Sequence, residues 1–349
     1  MKKKAVMRLT VMSVCVLMLT GCGRVSRQHI DEGMQAIAAQ NYEQALTSLE
    51  EAETAGEDTR LLYRARGLAY MGLTQYTEAS DAFEMALKSS DGRVQNMDYD
   101  MNYYLATAYY KQGNAEEAIR IYNTILSLSP KEKDALYLRG SILLRQSSDN
   151  YESAKADFDR AIELAPSDFD QLLNIYQVLK ECGYQDAGRE YLENAMANNA
   201  KDMSDYNKGR ICFYLENYED ARDYLERAKD TAGGGAVLYL GRTWEILGDY
   251  NYASSVYEAY VANTPDAEIY NQLGMCRLKM NDPQAALGAF QAGQTVEDCP
   301  ILQTLQYNEI VAYEQLENFT QAASLMQSYL KAYPDDEQAQ RENIFLKTR

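Results

Sequence analysis

The chain offers few residues that could do chemistry at a catalytic or metal centre. Among its 349 residues there is one histidine, His29. A single histidine excludes a multi-histidine metal site, and most nucleophile–histidine arrangements would need that same residue. The sequence has no phosphate-binding loop, GxGxxG, HExxH or GxSxG motif, and its carboxylates scatter over predicted helix faces. We therefore predict that the protein is not an enzyme, has no cofactor and no metal, and carries His29 on a mobile surface tether.

One cysteine stands in a context that predicts covalent modification. Four basic residues precede an apolar run at Leu9–Leu19, which is too short to cross a membrane as a helix but suits a signal peptide. The run ends in Leu19-Thr20-Gly21-Cys22. These residues resemble the lipobox of bacterial lipoproteins, in which the cysteine thiol receives a diacylglycerol and a peptidase then cuts before the cysteine.

The resemblance to a lipobox implies where in the cell the mature chain is located. It implies a lipoprotein signal peptide at residues 1–21, a lipidated tether at 22–25 with the lipid on Cys22, and anchoring on the extracytoplasmic face of a bacterial membrane. The alternative is an ordinary secretory signal followed by a chance cysteine. Four further cysteines, for which we predict neither a metal site nor a disulfide, are Cys182, Cys212, Cys276 and Cys299.

The charge balance narrows the classes of partner. The chain has 34 Lys and Arg against 52 Asp and Glu, which gives −18, and removal of the four basic residues of the signal peptide lowers this to −22. Such a surface repels nucleic-acid phosphates and anionic lipid headgroups. We therefore expect no nucleic-acid partner, and a membrane attachment made by lipid rather than by a basic patch.

An internal sequence repeat predicts the secondary-structure elements that would position any binding residues. A turn, an aromatic residue, an alanine and a large apolar residue recur in that order, as in Asn41, Tyr42, Ala45 and Leu49. Nine such alanines, spaced by 32 to 39 residues, are Ala45, Ala79, Ala118, Ala154, Ala187, Ala221, Ala253, Ala286 and Ala322. Glycines that precede an alanine by twelve residues are Gly33, Gly67, Gly209, Gly241 and Gly274. Because small residues at this spacing let two helices cross closely, the pattern predicts helical hairpins.

This pattern resembles the tetratricopeptide repeat, a hairpin of two helices in about 34 residues. The resemblance implies an all-α fold, a right-handed α-solenoid of about nine hairpins with a C-terminal capping helix at 337–349. The hairpins are expected at 26–59, 60–98, 99–132, 133–167, 168–201, 202–233, 234–266, 267–302 and 303–336. The fifth has Ile175 in place of the first-helix glycine, so we expect it to pack less closely. The glycines at 233–235 predict either a hinge or a plain loop.

In tetratricopeptide arrays the first helix of each hairpin lines a concave face, so the resemblance implies a partner-binding surface there. The residues expected on it are Tyr103, Tyr110, Tyr137, Tyr176, Tyr206, Arg210, Phe213, Tyr214 and Arg242. Tyr and Arg are the side chains that most often anchor interfaces. The alternative is that the tyrosines are core residues and that Arg210 and Arg242 pair with acids such as Glu216 or Glu245.

Two functional hypotheses remain. The first is a membrane-anchored extracytoplasmic scaffold that binds a protein or extended peptide partner, in envelope assembly or secretion. The alternative is a lipoprotein that captures a glycan or small ligand for an envelope enzyme or importer. A continuous open groove favours the peptide, whereas a closed pocket with convergent polar groups favours the small ligand.

Overall fold

Short helices joined in pairs make up the computed structural model of the chain, which describes residues 27–90, 92–199 and 201–349. Within these residues there are nineteen α-helices, one 3₁₀ turn and no strand. The chain divides into two compact units, residues 1–161 and 162–349.

The first unit is built from the first four helix pairs. Its helices are α1 (Gln28–Ala38), α2 (Tyr42–Thr54), α3 (Thr59–Gly72), α4 (Tyr76–Lys88), α5 (Asn96–Lys111), α6 (Ala115–Leu128), α7 (Lys133–Gln146) and α8 (Tyr151–Leu164), the last of which continues past the division of the chain.

The second unit contains five helix pairs and a final single helix. Its helices are α9 (Phe169–Glu181), α10 (Gln185–Asn199), α11 (Asp205–Tyr214), α12 (Tyr218–Ala228), α13 (Gly233–Ile246), α14 (Tyr250–Val261), α15 (Ala267–Lys279), α16 (Pro283–Gln294), α17 (Leu302–Gln315), α18 (Phe319–Ala332) and α19 (Glu337–Leu346).

Each hairpin closes where a small residue of the first helix meets a large residue of the second. A Cβ added to Gly67 would lie 2.5 Å from the Phe83 ring, and one added to Gly241 would lie 2.2 Å from the Tyr257 ring, so neither position has room for a side chain. Eight of the nine predicted alanines are fully buried at these crossings: Ala45, Ala79, Ala118, Ala154, Ala221, Ala253, Ala286 and Ala322. The predicted phase of these eight hairpins is therefore confirmed.

The fifth hairpin exchanges the sizes of the two facing residues. Ala187 is only half-buried, and the adjacent Gly188 is the buried small residue of α10. A Cβ on Gly188 would lie 3.0 Å from the ring of Tyr176, which occupies the place that glycine has on other first helices. Ile175 is itself buried with no exposed surface, and the large ring at this crossing comes from the first helix. That this hairpin packs less closely than the others stays a prediction.

The turn between the two helices of most hairpins contains one residue whose backbone has the left-handed conformation, with a positive φ. Eight turns have a positive φ directly before the residue that caps the second helix, at Gln40, Thr74, Gly113, Gly183, Glu216, Gly248, Asn281 and Glu317. The fourth hairpin instead has a 3₁₀ turn, Ser148–Asn150, in which the Ser147 hydroxyl accepts from the Asp149 N–H. The connection between α7 and α8 therefore has a different turn from those of the other hairpins.

Two expectations about the ends of elements are wrong. The glycines at 233–235 form the first turn of α13 rather than a hinge or a loop, and a Cβ on Gly235 would lie 2.5 Å from the Tyr206 hydroxyl oxygen. His29 is in the first turn of α1 and not on a tether, and its side chain is 28% exposed.

A capping helix closes the carboxyl-terminal end as predicted. The Asp336 carboxylate accepts from the backbone N–H groups of Gln338 and Ala339 and so fixes the start of α19. Leu346 is buried in a cluster with Ile310 and Met326. The predicted all-helical fold of about nine hairpins with a C-terminal capping helix is therefore confirmed.

Candidate partner-binding surface

Consecutive first helices of the second unit bring their aromatic side chains together. We call Tyr206, Phe213, Tyr214 and Tyr239 of α11 and α13 the aromatic cluster. The Phe213 and Tyr239 ring centroids are 5.3 Å apart and nearly perpendicular, and the Tyr214 and Tyr239 centroids are 5.9 Å apart. The two tyrosine hydroxyls form a hydrogen bond of 2.9 Å. All four residues are half-buried, so each keeps part of its surface exposed to solvent.

Tyr239 was missed by sequence reasoning, which placed the face of α13 around Arg242. The signal was present in the spacing, because Tyr239 lies three residues before Arg242 and therefore on the same side of the helix. Burial and the hydrogen bond with Tyr214 raise the pKa of Tyr239 above its usual range. Burial likewise raises the pKa of Tyr206. Both hydroxyls are therefore neutral donors at any physiological pH.

Tyr176 does not belong to an accessible surface. It is 1% exposed, because it packs against Gly188 at the crossing of α9 and α10. Its hydroxyl donates to the backbone carbonyl of Tyr214 at 3.2 Å, and its ring lies 5.4 Å from the Tyr214 ring. The expectation that Tyr176 contacts a partner is therefore wrong. Tyr176 is a buried residue that packs against Tyr214 of the aromatic cluster.

Arg210 is also more interior than the sequence suggested. Its side chain is 11% exposed, and its guanidinium donates to Asp170 and to Asn207, each at 2.5 Å. The guanidinium carbon lies 4.5 Å from the centre of the Tyr206 ring. The acid that pairs with it is Asp170 of α9 rather than Glu216. Arg210 therefore fixes Tyr206 and joins α9 to α11.

Arg242 remains a free cation on the same side. It directly follows Gly241, is exposed, and makes no hydrogen bond or ion pair with any other residue that the structure describes. Glu245, the acid considered as its partner, accepts instead from the Tyr257 hydroxyl at 2.9 Å and from Lys279 at 2.8 Å. Arg242 is thus available to a carboxylate or an aromatic ring of a partner.

Comparison with known sequences identifies the family. A family model described as "Tetratricopeptide repeat" matches residues 30–94, 98–170 and 271–337, and a second with the same description matches residues 206–232. These matches cover more than half of the chain. The chain belongs to the tetratricopeptide repeat family.

Relatives of this tetratricopeptide protein are distant. It is 21% identical over 170 residues to Tetratricopeptide repeat protein 21B of Xenopus laevis, which is 48% of this chain and 12% of that protein. It is 30% identical over 113 residues to Photosystem I assembly protein Ycf3 of Prochlorococcus marinus, which is 31% of this chain and 64% of Ycf3. The crystal structure of yeast Tom70 matches 92% of this chain and 87% of that chain, with 14% identity and a TM-score of 0.52, which supports the fold.

Three predicted surface residues of the tetratricopeptide array lie in the first unit. Tyr103 is half-buried with its ring 5.9 Å from that of Tyr122, and burial raises its pKa. The Tyr137 ring is tilted on Phe158 at 6.5 Å. Tyr110 is half-buried near the end of α5. Five of the nine predicted residues therefore lie together in the structure: Tyr176, Tyr206, Arg210, Phe213 and Tyr214.

A pocket of about 420 Å³ opens on another side of α13. Val237 and Val256 line its apolar part, while Tyr260, Asn263 and Asp230 contribute polar groups. Its volume falls within the range of small-molecule sites. The pocket and the aromatic cluster both use α13, but Val237 of the pocket and Tyr239 of the cluster are two residues apart and so lie on roughly opposite faces of the helix.

The remaining sequence expectations concern thiols and the membrane. Cys182, Cys212, Cys276 and Cys299 are not joined in disulfides. Burial raises the pKa of Cys212 and of Cys276 to about 11, which makes both poor nucleophiles. In the part of the chain that the structure describes, no helix combines the length and apolar character that crossing a membrane requires. Cys22, the predicted lipidation site, lies outside the described residues.

Proposed function

We propose that this tetratricopeptide protein is a lipid-anchored extracytoplasmic scaffold that binds a protein or an extended peptide through the aromatic cluster and Arg242. The observation that carries the proposal is that α11 and α13, consecutive first helices, supply half-buried aromatic rings beside an exposed cation. Tyrosines of this kind combine a large apolar contact with a polar hydroxyl, and such residues dominate binding energy at protein interfaces.

The support beneath the aromatic cluster favours a preorganised surface. Tyr176 and Arg210 are buried and hold Tyr214 and Tyr206 by a hydrogen bond and a stacking contact. Because the rings are fixed before a partner arrives, less side-chain entropy is lost on binding. A partner that presents a carboxylate or an aromatic ring next to Arg242 would meet complementary chemistry.

The place of action is proposed from the lipobox-like segment ending in Cys22. A diacylated cysteine would hold the array at the membrane. The net charge of −22 without the signal peptide disfavours nucleic acid as a partner and leaves soluble or envelope proteins as candidates. One relative is named as an assembly protein, and a role in assembly or secretion at the envelope fits a scaffold that carries no catalytic motif.

The test begins with capture of partners by the chain from Gly23 onward, followed by mass spectrometry. Affinity for the captured partner is then measured for Arg242→Ala and for a control, Arg222→Ala. Arg222 is an arginine of α12, a second helix, and stacks on Trp244. We expect Arg242→Ala to weaken binding by about 1 to 2 kcal/mol while the control leaves it unchanged. Equal affinities of the two variants would reject this surface.

The pocket beside α14 supports a second candidate, capture of a glycan. Tyr252 lines the pocket, and its ring is tilted against that of Trp244, the one tryptophan of the chain, with ring centroids 4.6 Å apart. Aromatic faces with nearby amide and carboxylate groups suit sugar rings. Trp244 fluorescence is therefore a direct readout for titration with a panel of neutral oligosaccharides. No spectral change across the panel would remove this candidate and leave the peptide surface in place.

A further inference from the structure

The one histidine of the chain lies between two carboxylates in the amino-terminal hairpin. His29 and Glu32 are three residues apart in the first turns of α1, and Glu51 comes from α2. The Nδ1 atom of His29 is 3.3 Å from an oxygen of Glu32 and 3.3 Å from an oxygen of Glu51. All three of these atoms lie within 4.8 Å of one another. Two helices therefore direct one nitrogen and two oxygens at a common point.

The backbone that carries His29 is fixed by a group outside this cluster. The carboxylate of Glu57, which is 4% exposed, accepts the N–H of His29 at 3.1 Å and that of Ile30 at 3.0 Å. A buried carboxylate here satisfies two N–H groups at the start of α1 and joins this turn to the segment after α2. Ile30 is itself buried with Leu49. The position of the imidazole is thus set by the core of the hairpin.

The two spacings of 3.3 Å between the His29 nitrogen and the glutamate oxygens fit a tetrahedral metal ion. Zinc binds histidine nitrogen and carboxylate oxygen at about 2.0 to 2.2 Å, which places neighbouring tetrahedral ligands about 3.3 to 3.6 Å apart. A neutral imidazole with two carboxylates also supplies two negative charges to a divalent cation. We propose that His29, Glu32 and Glu51 form a zinc-binding site that ties α1 to α2, with solvent in the remaining coordination position.

This site differs in kind from those that the histidine count excludes. One nitrogen and two carboxylate oxygens are ligands that zinc accepts, and no second histidine is required. The competing arrangement is a protonated imidazole paired with both glutamates, which needs no metal and gives similar distances. The two arrangements differ in what zinc does to the histidine, because a metal ligand must be deprotonated and loses its free lone pair.

The experiment is a zinc titration of the purified full-length chain at pH 7, followed by calorimetry and by the NMR signals of its one histidine. We expect one saturable site and a shift of the His29 ring resonances on addition of one equivalent of zinc. His29→Ala and Glu51→Gln should each weaken zinc binding by roughly tenfold or more, since loss of even an outer-shell partner typically costs that much. Glu50→Gln, at an exposed glutamate next to the site, should bind like the parent chain.

The result that overturns the proposal is zinc binding that survives His29→Ala, or His29 resonances that do not respond to zinc. Calcium provides the control for binding by acidic surface groups, because it prefers oxygen ligands and should not shift the ring signals. Circular dichroism of each variant verifies folding. If His29→Ala unfolds the hairpin, Glu51→Gln together with the NMR titration of the parent chain decides the question.

Discussion

At the scale of single residues, the hairpin turns show where the backbone is under strain. The left-handed position before the second helix is glycine at Gly113, Gly183 and Gly248, but Thr74 and Glu216 occupy it in their own hairpins with φ of 59° and 67°. This conformation places Cβ near the following carbonyl, and a β-branched residue is the least suited to it. Sequence patterns identified the turns, but they could not predict which residue of each turn carries the positive φ.

Replacement of Thr74 by glycine should therefore stabilise the protein. Relief of the left-handed strain outweighs the greater backbone entropy of glycine in the unfolded chain, so we expect the free energy of unfolding to rise by about 0.5 to 1 kcal/mol. Denaturant unfolding measures the change. Thr47→Gly, at an exposed threonine inside α2, is the matched control and should lower stability. If both variants lost stability, the strain assigned to Thr74 would be absent.

At the scale of elements, stability depends on the small residue at each helix crossing. Ala221 is fully buried where α11 and α12 meet, and a Cβ on Gly209 would lie 2.5 Å from Leu225 in the same crossing. Ala221→Phe should lower the free energy of unfolding by about 1 to 3 kcal/mol through overpacking. Ala259→Phe, at an exposed position of α14, should cost far less. A thermal melt of Ala221→Phe that matches the parent chain would contradict the assigned crossing.

The fifth hairpin shows why part of the element pattern escaped prediction. An alanine at residue 187 fits the repeat spacing, yet the buried small residue is the adjacent Gly188, because the large side chain at this crossing is Tyr176 of the first helix. Spacing alone predicted eight crossings, since there the small residue stays on one helix. Spacing cannot reveal an exchange of sizes between helices, and for that reason it places Tyr176 on the surface.

A carboxyl group on α17 interacts with the capping helix α19, and its protonation affects the docking of that helix. Burial, and then the charge of Glu342 on α19, raise the pKa of Glu314 on α17 to about 7. Because this value is higher than in the unfolded chain, the stabilisation is complete below about pH 4.5 and is lost as the pH rises through about 7. Docking of α19 should therefore weaken between pH 5 and pH 8.

Glu314→Gln tests this pH dependence. We expect the variant to match the parent chain near pH 5 and to exceed its stability by about 1 to 2 kcal/mol at pH 8, because glutamine cannot ionise. Hydrogen exchange of α19 amides at several pH values measures the difference. Glu317→Gln changes an exposed glutamate just beyond α17 and should leave the pH dependence as it is in the parent chain. Identical profiles for parent and Glu314→Gln would show that Glu314 ionises normally.

At the scale of the whole molecule, the negative net charge of the chain disfavours contact with an anionic membrane, whereas the proposed lipid anchor would hold the chain there. An acidic chain of −22 after removal of the signal peptide is repelled by anionic lipid, and no described helix is suited to span a membrane. On the proposal that the chain is a lipoprotein, its attachment depends on the lipid at Cys22. The prediction that Cys22 is lipidated rests on the sequence alone. It needs no folded structure, because an enzyme would recognise the lipobox-like residues as an extended segment.

Cys22→Ala should release the protein from the membrane. Each buried methylene of an acyl chain contributes about 0.8 kcal/mol, so a diacylglycerol gives a stable anchor and its loss leaves no comparable apolar attachment. Detergent phase partition of the expressed chain, with metabolic labelling by a fatty acid, measures both attachment and modification. Cys182→Ala, at a half-buried cysteine outside the lipobox-like segment, is the control and should stay in the detergent phase with its label. If Cys22→Ala also stayed there, the segment would be an ordinary secretory signal with a chance cysteine, and another part of the protein would have to bind the membrane despite its acidic charge.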